Sequence, residues 1–521
     1  MRYTAKICVV VLFVMAAIPS FSIETFTENG FIYKVQRDNC SQFHYNDTAS
    51  LAVIDYMADS LEDYSTPLHI AASVRHNGRK YSVTRIETGA FRNHAEIQAV
   101  VVDNGIMSIG KGAFDRCISM KSIYLPTSLS SINGNPFTNC SSLASIVVDE
   151  RNEDLDSRDG CNAIIAKDAD VLLAACSSTT IPSSVKKIAR RAFDGCNMMA
   201  SLVVPQGVET IESFAFCSCG GMKEISLPET LKKIDHDAFW GCTSLTSIVI
   251  PKNVNDIGLG NIFNGCYNLR SITVDDANTV YDSRSNCNGI VRKSDSTLVA
   301  TCRSTIITND IKSLDNRSYS GTIIHSLNIP KSVTSIQTDA FSECWEIDDI
   351  MVESGNAFYS STLGSNVLLS KDGKTLVLGS RTAAIPEGVE RIGDFAFCGR
   401  YMKSVLDIPK SVKEIGNHAF RDCVVLLELV IPKSVERIGE SCFSNCRSLG
   451  SVILSPSLKN VPDYAFSYCH SLSAVVIPNG IEAVGSCAFS ECSNLETVSL
   501  PSTAANIDKE AFAASTKVTK K

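Results

Sequence analysis

Hydrophobic positions along most of this chain recur at about 23 residues, far beyond the period of a lone strand or helix. From Pro409 onward the recurrence is plain: Pro409, Pro432, Pro456, Pro478 and Pro501 lie 22 to 24 residues apart, and Phe420, Phe443, Phe466, Phe489 and Phe512 lie 23 apart. One unit reads Ile-Pro-x-x-Val-x-x-Ile-x-x-x-Ala-Phe-x-x-Cys-x-x-Leu-x-x-Ile-x-Leu. The template also takes in Phe91, Phe114 and Phe137, then Phe193, Phe216, Phe239 and Phe263, then Phe341 and Phe397. A degenerate unit has Tyr319 where Phe is expected, which makes fifteen units. A period of this length marks a fold built by stacking units, and it lies in the leucine-rich-repeat range.

The spacing inside a unit predicts its shape. In Leu245-Thr-Ser-Ile-Val-Ile-Pro251, Ile248 and Ile250 are two apart and point to one side of a short strand, which Pro251 ends by removing a backbone donor. Val254 and Ile257 turn back inward, and Phe263 carries the largest side chain to the centre of the coil. No single turn covers these residues; stacked turns do, with like residues in file. The expected fold is a leucine-rich-repeat solenoid, mainly β with short turns and 3-10 segments, its strands forming a parallel sheet on the concave face. At the ~4.8 Å strand spacing, fifteen turns reach ~70 Å.

Three segments break the rhythm, at about residues 149–180, 275–305 and 353–384. They align on Cys161-Asn-Ala-Ile-Ile-Ala-Lys, Cys287-Asn-Gly-Ile-Val-Arg-Lys and Ser365-Asn-Val-Leu-Leu-Ser-Lys. Lys371-Asp-Gly-Lys374 is a hairpin turn between apolar stretches. Each segment reads as an inserted β-hairpin that extends the sheet or bends the coil. Residues 23–80 are not recognisable repeats and are the natural cap for the exposed end of the solenoid, with Asn77-Gly78 turning a hairpin into the repeats of 81–521. Residues 1–22 read as an export signal: Arg2 and Lys6, an apolar run from Ile7 to Ile18, and Ser20-Phe21-Ser22 at the cleavage site. Cys8 lies inside that run and leaves with it. The run is too short to span a bilayer, so no membrane insertion is expected after cleavage.

Export changes how the 21 cysteines are read. Eleven stand three residues after the aromatic position, from Cys117 to Cys492. One fixed position in a stacked repeat reads as a small buried hydrophobe, and His94 and Arg400 replace it elsewhere. Cys161 and Cys176, and Cys287 and Cys302, are each fifteen apart in the first two hairpins, and the third has Ser365 and Ser380 instead. Joint presence and joint absence predict disulfides Cys161–Cys176 and Cys287–Cys302, which persist in an oxidising compartment; two unrelated buried thiols are the alternative.

A formal net charge of −8 lacks the basic footprint of a nucleic-acid binder. There is no His-Glu-x-x-His, phosphate loop or Gly-x-Ser-x-Gly elbow. The eight histidines recur with no ligand spacing. Asp149-Glu150 with Glu153-Asp154, and Asp275-Asp276, read as solvated turns, since they lack the regular loop of a calcium site. No enzyme, metal or cofactor is expected.

Lys410-Ser-Val-Lys-Glu-Ile-Gly-Asn-His-Ala-Phe420 and its equivalents resemble the BspA-type leucine-rich repeats of Bacteroidetes surface proteins, also abundant in Trichomonas, over about residues 81–521. The resemblance implies an exported, secreted or cell-surface binding protein, some members of that family being adhesins for host matrix proteins or other bacteria. It implies no catalytic residues.

A binding face then follows from geometry. Residues flanking the inward strand positions point outward: Ser122 and Tyr124, Ser201 and Val203, Glu224 and Ser226, Ser247 and Val249, Ser271 and Thr273, Val405 and Asp407, Glu428 and Val430, Thr497 and Ser499. They make a small, weakly polar strip for an extracellular protein or glycan ligand. An adhesin-like role leads; a carbohydrate- or nutrient-capturing envelope component and a structural envelope spacer compete with it.

Overall fold

The computed structural model describes residues 25–36, 50–56, 66–362 and 364–520; the expected export signal lies outside them. Each unit makes two short strands and a tight turn. In Ser247–Ile250, Ile248 and Ile250 are buried and Ser247 and Val249 exposed, as the period of two requires. These longer strands pair in parallel with the next turn, for example Ser122–Leu125 with Ser145–Val148 and Glu428–Val430 with Ser451–Ile453, forming a face ladder. Two-residue strands on the other side, among them Lys187–Ile188, Thr210–Ile211, Lys233–Ile234 and Asp256–Ile257, form a parallel back ladder. Among the described residues the helical content is slight: two short 3-10 turns, Arg158–Gly160 and Arg284–Asn286. No helix among the described residues is long and apolar enough to cross a membrane.

Between the ladders run the aromatic files. From Phe397 to Phe512 successive ring centroids lie 5.0 to 5.4 Å apart with planes within 7°. A constant repeat length places each ring over the last at about the strand spacing. The Phe amide donates to the Ala carbonyl of the next turn, as in Phe216 to Ala238 and Phe466 to Ala488, both 2.8 Å. The ladder cysteines add a bond that a purely apolar residue lacks. The Cys117 thiol donates to Phe91 O at 3.0 Å, Cys219 to Phe193 O at 3.1 Å, and Cys446 to Phe420 O at 3.3 Å, each reaching back one turn. Burial keeps the donating proton in place, pushing Cys117 and Cys344 up to about 12.

The hairpins lengthen the back ladder and interrupt the face ladder. In the first, Leu155–Asp156, Ala163–Ala166 and Val171–Ala175 run antiparallel, and the last joins Lys187–Ile188 in parallel. The second (Tyr281–Asp282, Gly289–Arg292, Thr297–Thr301) and third (Tyr359–Ser360, Val367–Ser370, Thr375–Gly379) repeat that order. Ring stacking accordingly falls into four files: Phe91–Phe114–Phe137, Phe193–Phe216–Phe239–Phe263, Tyr319–Phe341, and Phe397 onward. One clamp holds all three hairpins to the preceding turn. Buried Asn152, Asn278 and Asn356 each donate from Nδ2 to two carbonyls of that turn and accept two backbone amides on Oδ1, as Asn278 does with Pro251 O, Val254 O, Val280 N and Tyr281 N at 2.8 to 2.9 Å. Lys167, Lys293 and Lys371 reach back to the carbonyls of these asparagines.

The expected disulfides Cys161–Cys176 and Cys287–Cys302 are not formed in the structure. Cys161, Cys176, Cys287 and Cys302 are free, buried thiols. The hairpin shows its two faces to different blocks of repeats: Cys161 packs with the block that follows, around Ala163 and Phe193, and Cys176 with the block that precedes, around Ile146 and Phe137. Cys287 and Cys302 are likewise divided between two clusters. Joint presence reflects two matching sites on one hairpin, without a bond.

At the N-terminal end, Thr25–Glu28, Phe31–Gln36 and Ser50–Tyr56 run antiparallel, and the last joins Arg79–Ile86 in parallel. Phe31 and Tyr56 lie over Phe91, at 6.1 and 5.8 Å, closing that end of the aromatic file. Ser73–His76 and Arg79–Ile86 pair antiparallel around Asn77 and Gly78, both at positive φ as the turn demands.

Candidate binding face

The face ladder presents two outward rows, one on each side of a buried position. Its first row holds Ser122, Ser201, Glu224, Ser247, Ser271 and Glu428, and its second Tyr124, Val203, Ser226, Val249, Thr273 and Val430, all partly or fully exposed. Val405 stands in the first row by an isolated bridge to Glu428, and exposed Asp407 follows it. The ladder register sets these side chains in file: Ser201 beside Glu224, Val203 beside Ser226, Ser247 beside Ser271, Val249 beside Thr273.

The second row is more apolar than a weakly polar strip. Val203 is 71% exposed, Val249 57%, Met351 58%, Val430 56%, Ile453 48% and Val476 58%. Met351, Ile453, Val476 and half-exposed Val147 occupy the offset of Tyr124 and Val203 and belong with the sequence-predicted residues. The register alone would have found them. Val430, Ile453 and Val476 stand on consecutive paired strands and form an unbroken aliphatic ridge. β-Branched residues suit a pleated strand, so strand propensity and surface chemistry coincide at these positions.

Charge collects on the opposite side. Glu414 sits between Arg391 at 3.0 Å and Arg437 at 2.6 Å, and Glu390 between Lys374 at 3.0 Å and Lys413 at 3.1 Å. Hydrogen bonds from these cations hold both carboxyls below the usual range. Such exposed pairs add little stability singly; they keep the back ladder hydrated and leave the face ladder as the apolar side.

The acidic turns serve structure. Asp149 takes a bidentate contact from Arg151 at 2.9 and 3.0 Å and the Tyr124 hydroxyl at 2.6 Å, which together hold its carboxyl well below the ordinary range. Asp275 accepts the Ala277 amide at 2.8 Å. Among the described residues no group of three or more His, Cys, Asp or Glu is placed to hold a metal ion. The ladder thiols donate to carbonyls, and burial disfavours the thiolate that nucleophilic chemistry needs.

A family match agrees with this architecture. A family model described as BspA type leucine rich repeat region matches in six copies, over residues 78–159, 173–289, 299–374 and 390–519. Similar solved structures include a leucine rich cell surface protein from Faecalibacterium prausnitzii, at 21% identity, covering 96% of this chain and 95% of that one with a TM-score of 0.37. A leucine-rich repeat protein from Eubacterium ventriosum is 23% identical, covering 69% and 93%, with a TM-score of 0.41. The pneumococcal vaccine antigen PcpA is 14% identical, covering 96% and 99%, with a TM-score of 0.29. No curated protein matches the chain. With most of its length matched by that model, the chain belongs to the BspA type leucine rich repeat family.

Proposed function

We propose that this protein is exported and acts as an adhesin-like binder, recognising another macromolecule, foremost a host matrix protein, through the outward rows of the face ladder. The observation that carries this reading is the aliphatic ridge Val430–Ile453–Val476 on the face ladder, with the ion pairs gathered on the back ladder across the coil. Contiguous exposed apolar surface on a rigid scaffold marks interaction sites, and a parallel ladder holds the ridge in fixed register. The apolar run from Ile7 to Ile18 supports export.

The test substitutes the ridge with alternating charges, Val430→Lys, Ile453→Asp and Val476→Lys, so that neighbours attract and the strands stay paired. Pull-downs from host matrix and bacterial surface extracts are compared with the native protein. The expected result is at least a tenfold loss of the captured protein with an unchanged circular dichroism spectrum. Undiminished capture, or a glycan-array signal with no protein ligand, contradicts the proposal.

A further inference from the structure

The face ladder ends and restarts at each hairpin, and at the second hairpin the restart leaves a cleft. Its volume is about 410 Å³, with Arg303 to Ile307 on the hairpin side and Ile323 to Asn328 on the other. The cause is a shortened unit. Tyr319 precedes Ser326 by seven positions, whereas Phe193 precedes Ser201, and Phe341 precedes Asp349, by eight. The missing residue removes the turn that other units place before their strand.

Among the described residues the strand Ser326–Ile329 pairs only with Asp349–Val352. Asp349 N donates to His325 O at 3.0 Å, which fixes the phase of the ladder. Leu327 therefore spends both backbone groups on the next turn, and the N–H and C=O of Ser326 and Asn328 face the cleft. Buried Ile307, Ile324 and Leu327 and exposed Ile306 give the cleft an aliphatic lining. The charges around it are uneven. His325 lies 3.5 Å from Glu346 and 3.4 Å from Asp348, and Arg381 also binds Asp348. Arg303 has no carboxylate partner among the described residues and only a 3.5 Å contact to Tyr267 O.

We infer that this cleft takes an extended polypeptide segment as an added strand on Ser326–Ile329, with an aliphatic side chain against Ile306 and an acidic residue opposite Arg303. Two donors and two acceptors at strand spacing recognise a peptide backbone, and the guanidinium selects the charge. The inference rests on the binding role proposed above and assigns it a second, separate contact.

A phage-displayed library of random twelve-residue peptides is panned on the full-length protein, and the best binder is synthesised. Enrichment of Asp or Glu beside aliphatic residues is expected. Asn328→Pro removes one cleft-facing N–H that the native ladder does not use, a change edge strands tolerate. It weakens the binder at least tenfold, as does Arg303→Glu. N-methylation of the peptide at alternate residues abolishes binding while leaving the protein untouched, so the result does not depend on how the variants fold. The inference is overturned if no peptide is enriched, if Asn328→Pro and Arg303→Glu bind like the native protein, or if N-methylation has no alternating effect. The charged-ridge variant retains the peptide, which separates this outcome from failure of the ridge.

Discussion

The third hairpin junction solves by other means the problem that the first two share. Where a hairpin separates two blocks, the last turn before it loses its neighbour, and buried carbonyls need new donors. At the first junction Asn135 donates to Arg191 O at 2.7 Å and Ala192 O at 3.1 Å, and at the second Asn261 donates to Ser320 O at 3.1 Å. Both stand two residues before the Phe. At the third junction that position is Asp339, which has no side-chain amide hydrogen to give, and its buried Oδ1 has no hydrogen-bond partner among the described residues.

The donor comes instead from downstream. Arg400, in the slot of a ladder cysteine, is fully buried and donates to Phe341 O at 3.1 Å, Gly379 O at 3.2 Å and Cys398 O at 3.0 Å. Its long fork crosses the hairpin to the carbonyl that a thiol serves when turns are adjacent. Gly379 takes the place of Ala175 and Thr301, because a Cβ there would collide with the Phe397 ring. Junctions are thus conserved in what they must satisfy and free in which residue does it.

Breaking the replacement donor has the largest expected effect. Arg400→Met keeps volume but takes a donor from three carbonyls, of which Phe341 O keeps only the Cys344 amide at 3.3 Å, costing on the order of 3 kcal/mol, with the block from Phe397 onward melting first in denaturant monitored by hydrogen exchange. An unchanged single transition would show that the guanidinium is dispensable. A smaller and opposite effect is expected of Asp339→Asn, which restores the amide of the other junctions and stabilises by about 1 kcal/mol at neutral pH. Burial raises the Asp339 carboxyl above its ordinary 3.8. The native protein therefore gains relative stability as this group protonates, and the advantage of Asn should shrink as pH falls through that raised value. A gain that persists undiminished in acid would remove the carboxylate from the explanation. The smallest effect is expected of the double change Cys161→Ser and Cys176→Ser, which copies the third hairpin: less than about 1 kcal/mol, with both native thiols recovered reduced in non-reducing peptide maps. A Cys161–Cys176 peptide in those maps would reinstate the bond.

The repeat was legible because one physical demand, a ring over a ring, is written many times. Phe193 to Phe263 and Phe397 to Phe512 stack in file as their spacing requires. The outward positions from Ser122 to Val430 followed from the period of two, but their apolar character emerged only when Met351, Ile453 and Val476 were added to the row. The hairpin cysteines misled because covariation of two positions does not say whether their side chains share a face. Asn152, Asn278 and Asn356 recur at one offset and could have been found by aligning the hairpins. Arg400 could not, since its role exists only where a hairpin has moved two turns apart.

Small-angle X-ray scattering tests the stacked-turn account most directly. A compact chain of 521 residues has a radius of gyration of about 24 Å. Turns added one after another along a ladder predict a clearly larger value and a rod-like cross-section region, whereas a value near that of the compact chain would contradict the stacking on which the binding face depends.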